Sequence, residues 1–295
     1  MIHSLILHND CIRRADERFL SPGQVGLLNG WGVFSTIKVV DGVLFAFPHH
    51  YERMHRDARI MRVPFPWGQD ELEERLLSLV EANQDYDSTL RVTVVRNRGT
   101  VFEGPGIESE VELFAFTTAR NDWGSGVRLG VVRNARHAAC EFAGTKITAW
   151  SMNLCWYEEA HERGYDEVVL LNEREEVAEC TSANLFAVFG NETATPPLSS
   201  GCLPGVTRQV LLEEIRHPEC RVVERTLRLK DLEEADELFI TSSTRDLLPV
   251  RELEGLSTRG GDRMRGLLQQ AFETYVQNYV RNAPRRATSR AKMSR

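Results

Sequence analysis

Two hydrophobic periods share this chain. Residues 33–47, VFSTIKVVDGVLFAF, form two β-rich runs around Asp41-Gly42, a dipeptide that supplies the positive φ values of a tight hairpin turn. Over residues 50–61 the spacing changes to three or four, through Tyr51, Met54, Ala58 and Met61, and Pro64 and Pro66 close the helix this predicts. A second helix is predicted over residues 70–83, with Leu72, Leu76, Leu79 and Val80 along one stripe. LRVTVVR at 90–96 and VELFAFTTA at 111–119 read as strands. Residues 120–126, RNDWGSG, are polar, glycine-containing and aperiodic, which makes them a linker between a first domain at 1–119 and a second at 127–283.

Beyond the linker, VRLGVV reads as a strand, followed by a helix around 150–163 with Gly164 placed as its C-cap. DEVVLLN and VAECTSANLFAVF are β-rich runs separated by Glu173-Arg174-Glu175, which predicts a second hairpin. LPGVTRQVLLEEIR at 203–216 reads as a glycine turn entering a helix, ELFITSST at 237–244 as a strand ending in a hydroxyl-rich loop, and residues 261–280 as a final helix. From Pro284 onward Arg285, Arg286, Arg290, Lys292 and Arg295 occur without an acid, so a disordered basic tail is expected. The fold class is α+β, and no internal repeat is present.

A length of 295 residues with 42% apolar side chains suits one or two globular domains with substantial cores. The net charge of −7 removes any general basic field for nucleic-acid binding. The N-terminal MIHSLILHNDCIRR lacks the basic start and long apolar run of a signal peptide, and no window is apolar enough to span a bilayer, so a cytoplasmic protein without a membrane partner is expected. Six cysteines lie far apart and read as buried, reduced thiols. His49, His50 and His55 have no accompanying cysteine or carboxylate set, so no metal site is expected.

The basic residues are lopsided: four lysines, Lys38, Lys146, Lys230 and Lys292, against 32 arginines. Arginine stays protonated and cannot attack a carbonyl, so nucleophilic lysine chemistry has only these candidates. Lys292 lies in the basic tail, Lys230 in the polar RLKDLEEAD, and Lys38 on the first hairpin. Lys146, in AGTKITAW, stands between a small-residue turn and a helix. A desolvated lysine there would be a nucleophile, while an exposed loop lysine is the plain alternative. Glu179 lies among Val177, Leu185 and Phe186 and needs a partner if buried: a protonated ring nitrogen or an arginine. Two segments suit an anion. Val206 and Thr207 follow Gly205 at a helix N-terminus, and Thr241 to Thr244 cluster hydroxyls at a strand end. Arg53 is a candidate guanidinium for the same anion.

An imine-forming lysine, a carboxylate for a pyridinium and a phosphate cup are the parts of a pyridoxal-phosphate enzyme. The segments NGWGVFSTIKVVDG, HHYERMHRDAR, AGTK, EEAHERGYDEVVLLN, EVAECTSANLFAV, LPGVTRQVLLE and TSSTRDLLPV occur in an order that resembles the class IV aminotransferases of fold type IV, over nearly the whole chain to about residue 280. That family includes branched-chain and D-amino-acid aminotransferases and aminodeoxychorismate lyases. The resemblance implies a smaller N-terminal sheet-plus-helices domain, a larger C-terminal pseudo-barrel domain, pyridoxal 5'-phosphate held between them, and a homodimer. It also implies Lys146 as the Schiff-base lysine and Glu179 as partner of the ring nitrogen, with Arg53, Val206, Thr207, Ser243 and Thr244 on the phosphate. Phe34 and Arg98 are the candidate substrate contacts.

The implied activity is transfer of an amino group between an amino acid, branched-chain-like or D, and a 2-oxo acid. A lyase releasing pyruvate and 4-aminobenzoate is the alternative, and a catalytically silent ligand-binding protein the alternative of another class. Trp31 stands where the family often has an acidic or small residue, Phe34 carries no hydroxyl, and ITAWSMN departs from the Asn-Tyr-Leu pattern of branched-chain enzymes. These departures fall near the expected substrate position.

Overall fold

The computed structural model describes residues 1–21, 23–99, 101, 103–104, 107, 109–284 and 292–293. The chain is an α+β protein that divides into two compact units. The first holds Met1–Asn121, Thr145–Trp150 and the described residues from Asn278 on; the second holds Asp122–Gly144 and Ser151–Gln277. This interleaving differs from the contiguous division expected at 1–119 and 127–283. Its cause is local pairing: Ile147 bridges Val33, Thr148 N donates to Gly32 O at 2.9 Å, and Tyr279 packs edge-on against Phe45 at 5.4 Å.

In the first unit the elements are β1 (Ile2–His8), β2 (Cys11–Arg14), α1 (Val25–Asn29), β3 (Gly32–Val40), β4 (Val43–Leu44), α2 (Phe47–Ile60), α3 (Gln69–Asn83), β5 (Ser88–Arg96) and β6 (Val111–Ala119). The strands lie in the order β2-β1-β6-β5-β3-β4. The predicted hairpin turns at Asp41 (φ 48°) and Gly42 (φ 77°). Its second strand is cut short because α2 begins at Phe47, ahead of the predicted start, with Pro48 in the first turn, where its missing N–H costs little. Strand alternation sends Val33, Ile37, Val39, Leu90, Val92 and Val94 into a core shared with Met54 and Ala58 of α2 and Leu72, Leu76 and Leu79 of α3. Phe34, Thr36 and Arg91 stand on the opposite face, since Thr36 pairs with Arg91 across β3 and β5. The β1–β2 hairpin was not read from the sequence.

The second unit contains β7 (Val127–Arg136), α4 (Ser151–Glu162), β8 (Glu167–Asn172), β9 (Val177–Cys180), β10 (Asn184–Phe189), β11 (Glu192–Thr195), α5 (Val206–Glu213), β12 (Arg221–Glu224), α6 (Leu229–Glu234), β13 (Glu237–Ser242), β14 (Asp246–Leu253) and most of α7 (Arg263–Asn282). Its sheet runs β12-β11-β10-β13-β14-β7-β8-β9, parallel at β11/β12, β14/β7 and β7/β8. The predicted second hairpin turns at Glu175 (φ 58°). The run VAECTSANLFAVF is not one strand: it breaks at Thr181–Ala183, where Cys180 N bonds Ala183 O at 2.8 Å. The core of this unit includes Val169, Leu171, Leu185 and Ile240, and Phe186 stacks on Phe239 at 5.0 Å. Strand β14 was also missed.

At the C-terminus, where disorder was expected, Lys292–Met293 forms β15 and adds parallel to β2; residues 285–291 and 294–295 of that tail lie outside the described residues. Cys180, Cys202 and Cys220 are buried as expected, but Cys155 is exposed and Cys11 and Cys140 half-buried. Among the described residues no helix is long and apolar enough to cross a membrane, and no group of three His, Cys, Asp or Glu could hold a metal ion.

Candidate active site

In the first unit Lys146 lies on an extended segment laid against β3. Its main-chain N–H donates to Asp57 Oδ2 at 3.0 Å, and its carbonyl accepts from Phe34 N at 3.1 Å. The half-buried side chain brings Nζ 4.6 Å from the centre of the Phe34 ring. Trp150 meets the same ring edge-on at 6.5 Å, and the Arg91 guanidinium lies 3.8 Å from its centre. Burial pushes the Arg91 guanidinium below its ordinary value. Thr148, two residues past Lys146, holds a buried hydroxyl with no partner among the described residues.

Helix α2 supplies the polar residues around this segment. Arg53, 8% exposed, donates from Nη2 to Ser35 Oγ at 2.8 Å, and Ser35 Oγ is 2.7 Å from His50 Nδ1. Burial brings the Arg53 guanidinium down to about 10, with Asp57 acting against that fall. It remains a cation at neutral pH. His50, fully buried, is pushed well below its usual range first by burial and then by the charges of Arg53, His49 and Lys146. Sequence reading named Lys146, Phe34 and Arg53 but put Lys146 in the second domain and the other two in the first; the structure brings all three into one unit. Asp57 was missed because DARI looks like any charged helix face. Arg91 was missed because only strand pairing puts it on the Phe34 face, whereas the sequence candidate Arg98 is an exposed loop residue 3.7 Å from Glu103.

In the second unit Glu179 is buried on β9. Arg136 Nε donates to its Oε1 at 3.0 Å and Leu203 N to its Oε2 at 2.9 Å. Arg136 also reaches Asn153 Oδ1 at 3.2 Å, and Asn153 in turn donates to Thr181 O at 3.0 Å. The arginine of the alternative reading of Glu179 is thus present, and the same carboxylate fastens the approach to α5. There Asn184 Nδ2 donates to Leu203 O at 2.8 Å, and a Cβ on Gly205 would fall 2.0 Å from Asn184 Oδ1, so only glycine permits this approach. Val206 and Thr207 follow, both buried, at an N-terminus with no side-chain cap. α5 packs on β13, where Thr241 lies opposite Asn184 and keeps a buried Oγ1 with no partner among the described residues. Ser243 and Thr244 occupy the following turn, which Ser242 Oγ organises by accepting from Arg245 N at 3.2 Å.

Glu167, another buried carboxylate of this unit, escaped sequence reading. Its Oε1 accepts from Thr181 Oγ1 at 2.6 Å, Thr181 N at 3.2 Å and Val168 N at 3.0 Å; its Oε2 accepts from Ser182 Oγ at 2.7 Å, and Arg245 stands 3.7 Å away.

The model of the class IV aminotransferases matches residues 32–253, and the chain belongs to that family. A putative branched-chain-amino-acid aminotransferase of Methanocaldococcus jannaschii is 29% identical over 234 residues, 78% of this chain and 81% of that protein. D-alanine aminotransferase of Bacillus licheniformis is 25% identical over 279 residues, 93% and 96% of the two chains. The crystal structure of the branched-chain amino acid aminotransferase of Escherichia coli superposes with a TM-score of 0.83, covering 93% of this chain and 95% of that one at 23% identity, which establishes the fold. The family's cofactor is pyridoxal 5'-phosphate. The residues present suit it: an uncapped helix N-terminus, a glycine held against Asn184, and a buried Thr241 hydroxyl without a partner among the described residues are features that a phosphate ester can use.

Proposed function

We propose that this protein is an aminotransferase that moves an amino group between an amino acid, branched-chain-like or of D configuration, and a 2-oxo acid, with Lys146 as the residue that carries the cofactor. The observation behind this reading is the seating of Lys146, fixed at its main-chain N by Asp57 and at its carbonyl by Phe34, with Nζ over the Phe34 ring. Bound pyridoxal phosphate supplies a carbonyl carbon that exchanges amines and a ring that accepts electrons. Arg53, Val206, Thr207, Ser243 and Thr244 would hold its phosphate, and Glu179 would keep the proton on its ring nitrogen. Once exchange with the substrate amine had released it, the neutral Lys146 Nζ would serve as the base for the substrate Cα proton. Phe34 shields that amine from water, and Arg91 replaces Arg98 as the guanidinium for a substrate carboxylate. The protein works as a homodimer, which sedimentation checks.

The test is borohydride reduction of the loaded enzyme followed by peptide mapping. An adduct on Lys146 is expected; one on Lys38 or Lys230, or none, overturns the assignment. A screen of L-branched, D- and aromatic donors with 2-oxoglutarate then fixes the substrate, with glutamate formed over many turnovers. Release of pyruvate from aminodeoxychorismate without an acceptor would make the protein a lyase instead. Absence of visible absorbance after adding pyridoxal phosphate would make it a silent binding protein.

A further inference from the structure

Helix α2 carries two buried ionic groups one turn apart, Arg53 and Asp57, and only the first belongs to the phosphate set. Asp57 has a side chain 1% exposed. Its Oδ1 accepts from Arg56 Nε at 2.9 Å and Nη2 at 2.5 Å, while its Oδ2 accepts the main-chain N–H of Lys146 at 3.0 Å. A carboxylate this deeply buried is costly unless its acceptor positions are met. Here one oxygen is anchored to its own helix and the other reaches out to a segment far along the chain.

On its opposite side, the lysine segment is tied to β3 by Phe34 N on Lys146 O, the Val33–Ile147 bridge, and Thr148 N on Gly32 O. Those contacts fix the segment against one strand edge. The Asp57 contact is the one that ties the lysine's own amide to the helix. We propose that Asp57 is a positioning residue for Lys146, clamping its main chain so that Nζ returns to one place over Phe34. The idea rests on Lys146 being the cofactor lysine, but the clamp itself is read at an amide that exists with or without cofactor.

The test compares wild type with Asp57→Ala and Asp57→Asn, the latter keeping a carbonyl oxygen for the amide. In cofactor-free protein, hydrogen exchange at the Lys146 amide should accelerate about tenfold or more in D57A, with β5 and β6 amides unchanged, and should return most of the way in D57N. When pyridoxal phosphate is added to the cofactor-free protein, the rate of its covalent capture, read by borohydride trapping, should fall about tenfold in D57A and recover in D57N. Wild-type exchange at Lys146 in D57A, or a D57N variant no better than D57A, overturns the clamp. If D57A yields no folded protein, Asp57→Ser, whose hydroxyl is too short to span the gap, takes its place: accelerated exchange at Lys146 supports the clamp and wild-type exchange overturns it. An adduct on a different lysine defeats the assignment of Lys146 while leaving the exchange result to judge the clamp separately.

Discussion

Glu167 and Glu179 are buried glutamates of one sheet in opposite situations. Glu167 is met by Thr181, Ser182 and Val168, residues of the strands and turn beside it, with Arg245 as counter-charge. Glu179 accepts one guanidinium N–H from the end of β7 and one amide from the lead-in to α5. A carboxylate offers roughly four acceptor positions. At Glu167 nearby strand residues fill them and hold the β9–β10 reversal closed. At Glu179 two partners from separate segments leave room for a further donor. Both acids are buried; what differs is the origin of their partners.

The first way to break this contrast is E167A. It leaves Arg245 buried without its counter-charge and removes the acceptor of Thr181 and Ser182, so denaturant unfolding should read a loss of about 3–5 kcal/mol. A loss below about 1 kcal/mol would show that the hydrogen-bonded acid is not structural. E179Q should do the reverse. Stability should stay within about 1–2 kcal/mol of wild type, while amino transfer by fully loaded enzyme falls about 100-fold, equal to ~2.7 kcal/mol in the barrier. Matching losses of stability and rate in both variants would erase the distinction.

Thr241 sharpens it from another side, being a buried hydroxyl with no partner among the described residues. T241V should leave the cofactor-free protein as stable or up to ~1 kcal/mol more so, since no hydrogen bond is lost. It should also weaken pyridoxal phosphate binding about five- to tenfold in a fluorescence titration. Unchanged affinity would remove Thr241 from the phosphate site. The smallest effect concerns His50, which burial holds neutral well below 6.5. The unfolded chain binds a proton there that the native chain refuses, so stability rises with pH up to about 6.5 and is lost below it, by at most about 1.4 kcal/mol per pH unit. H50Q should flatten that slope between about pH 5 and 6.5; an identical slope would assign the acid sensitivity elsewhere.

Much of this was legible in the residues. The Asp41-Gly42 turn, the stripes of α2 and α3 and the strand around 111–119 carry their periods openly, because each buries one face against one core. What was hidden is what pairing decides. Arg136 meets Glu179 only because β7 pairs with β8 and β8 with β9, placing Leu170 opposite Glu179. Arg91 reaches the Phe34 ring through the register of β3 with β5. The break at Thr181–Ala183 was invisible because its cause, Glu167, belongs to a different strand. Lys146 could be singled out by scarcity, but its clamp by Asp57 needed three dimensions.

Because the lysine segment closes the edge of β3, synthesis order matters. A ribosome completes Gly32–Val40 early, then makes the whole stretch to Thr148 before Ile147 can meet Val33. At about 5–20 residues per second the nascent first unit spends on the order of ten seconds with a strand edge open to mispairing. Lys146 therefore arrives with the last piece that seals that edge. A chain terminated anywhere before Thr145 lacks Lys146 and the edge-sealing segment at once, so a truncated product cannot hide its sticky border.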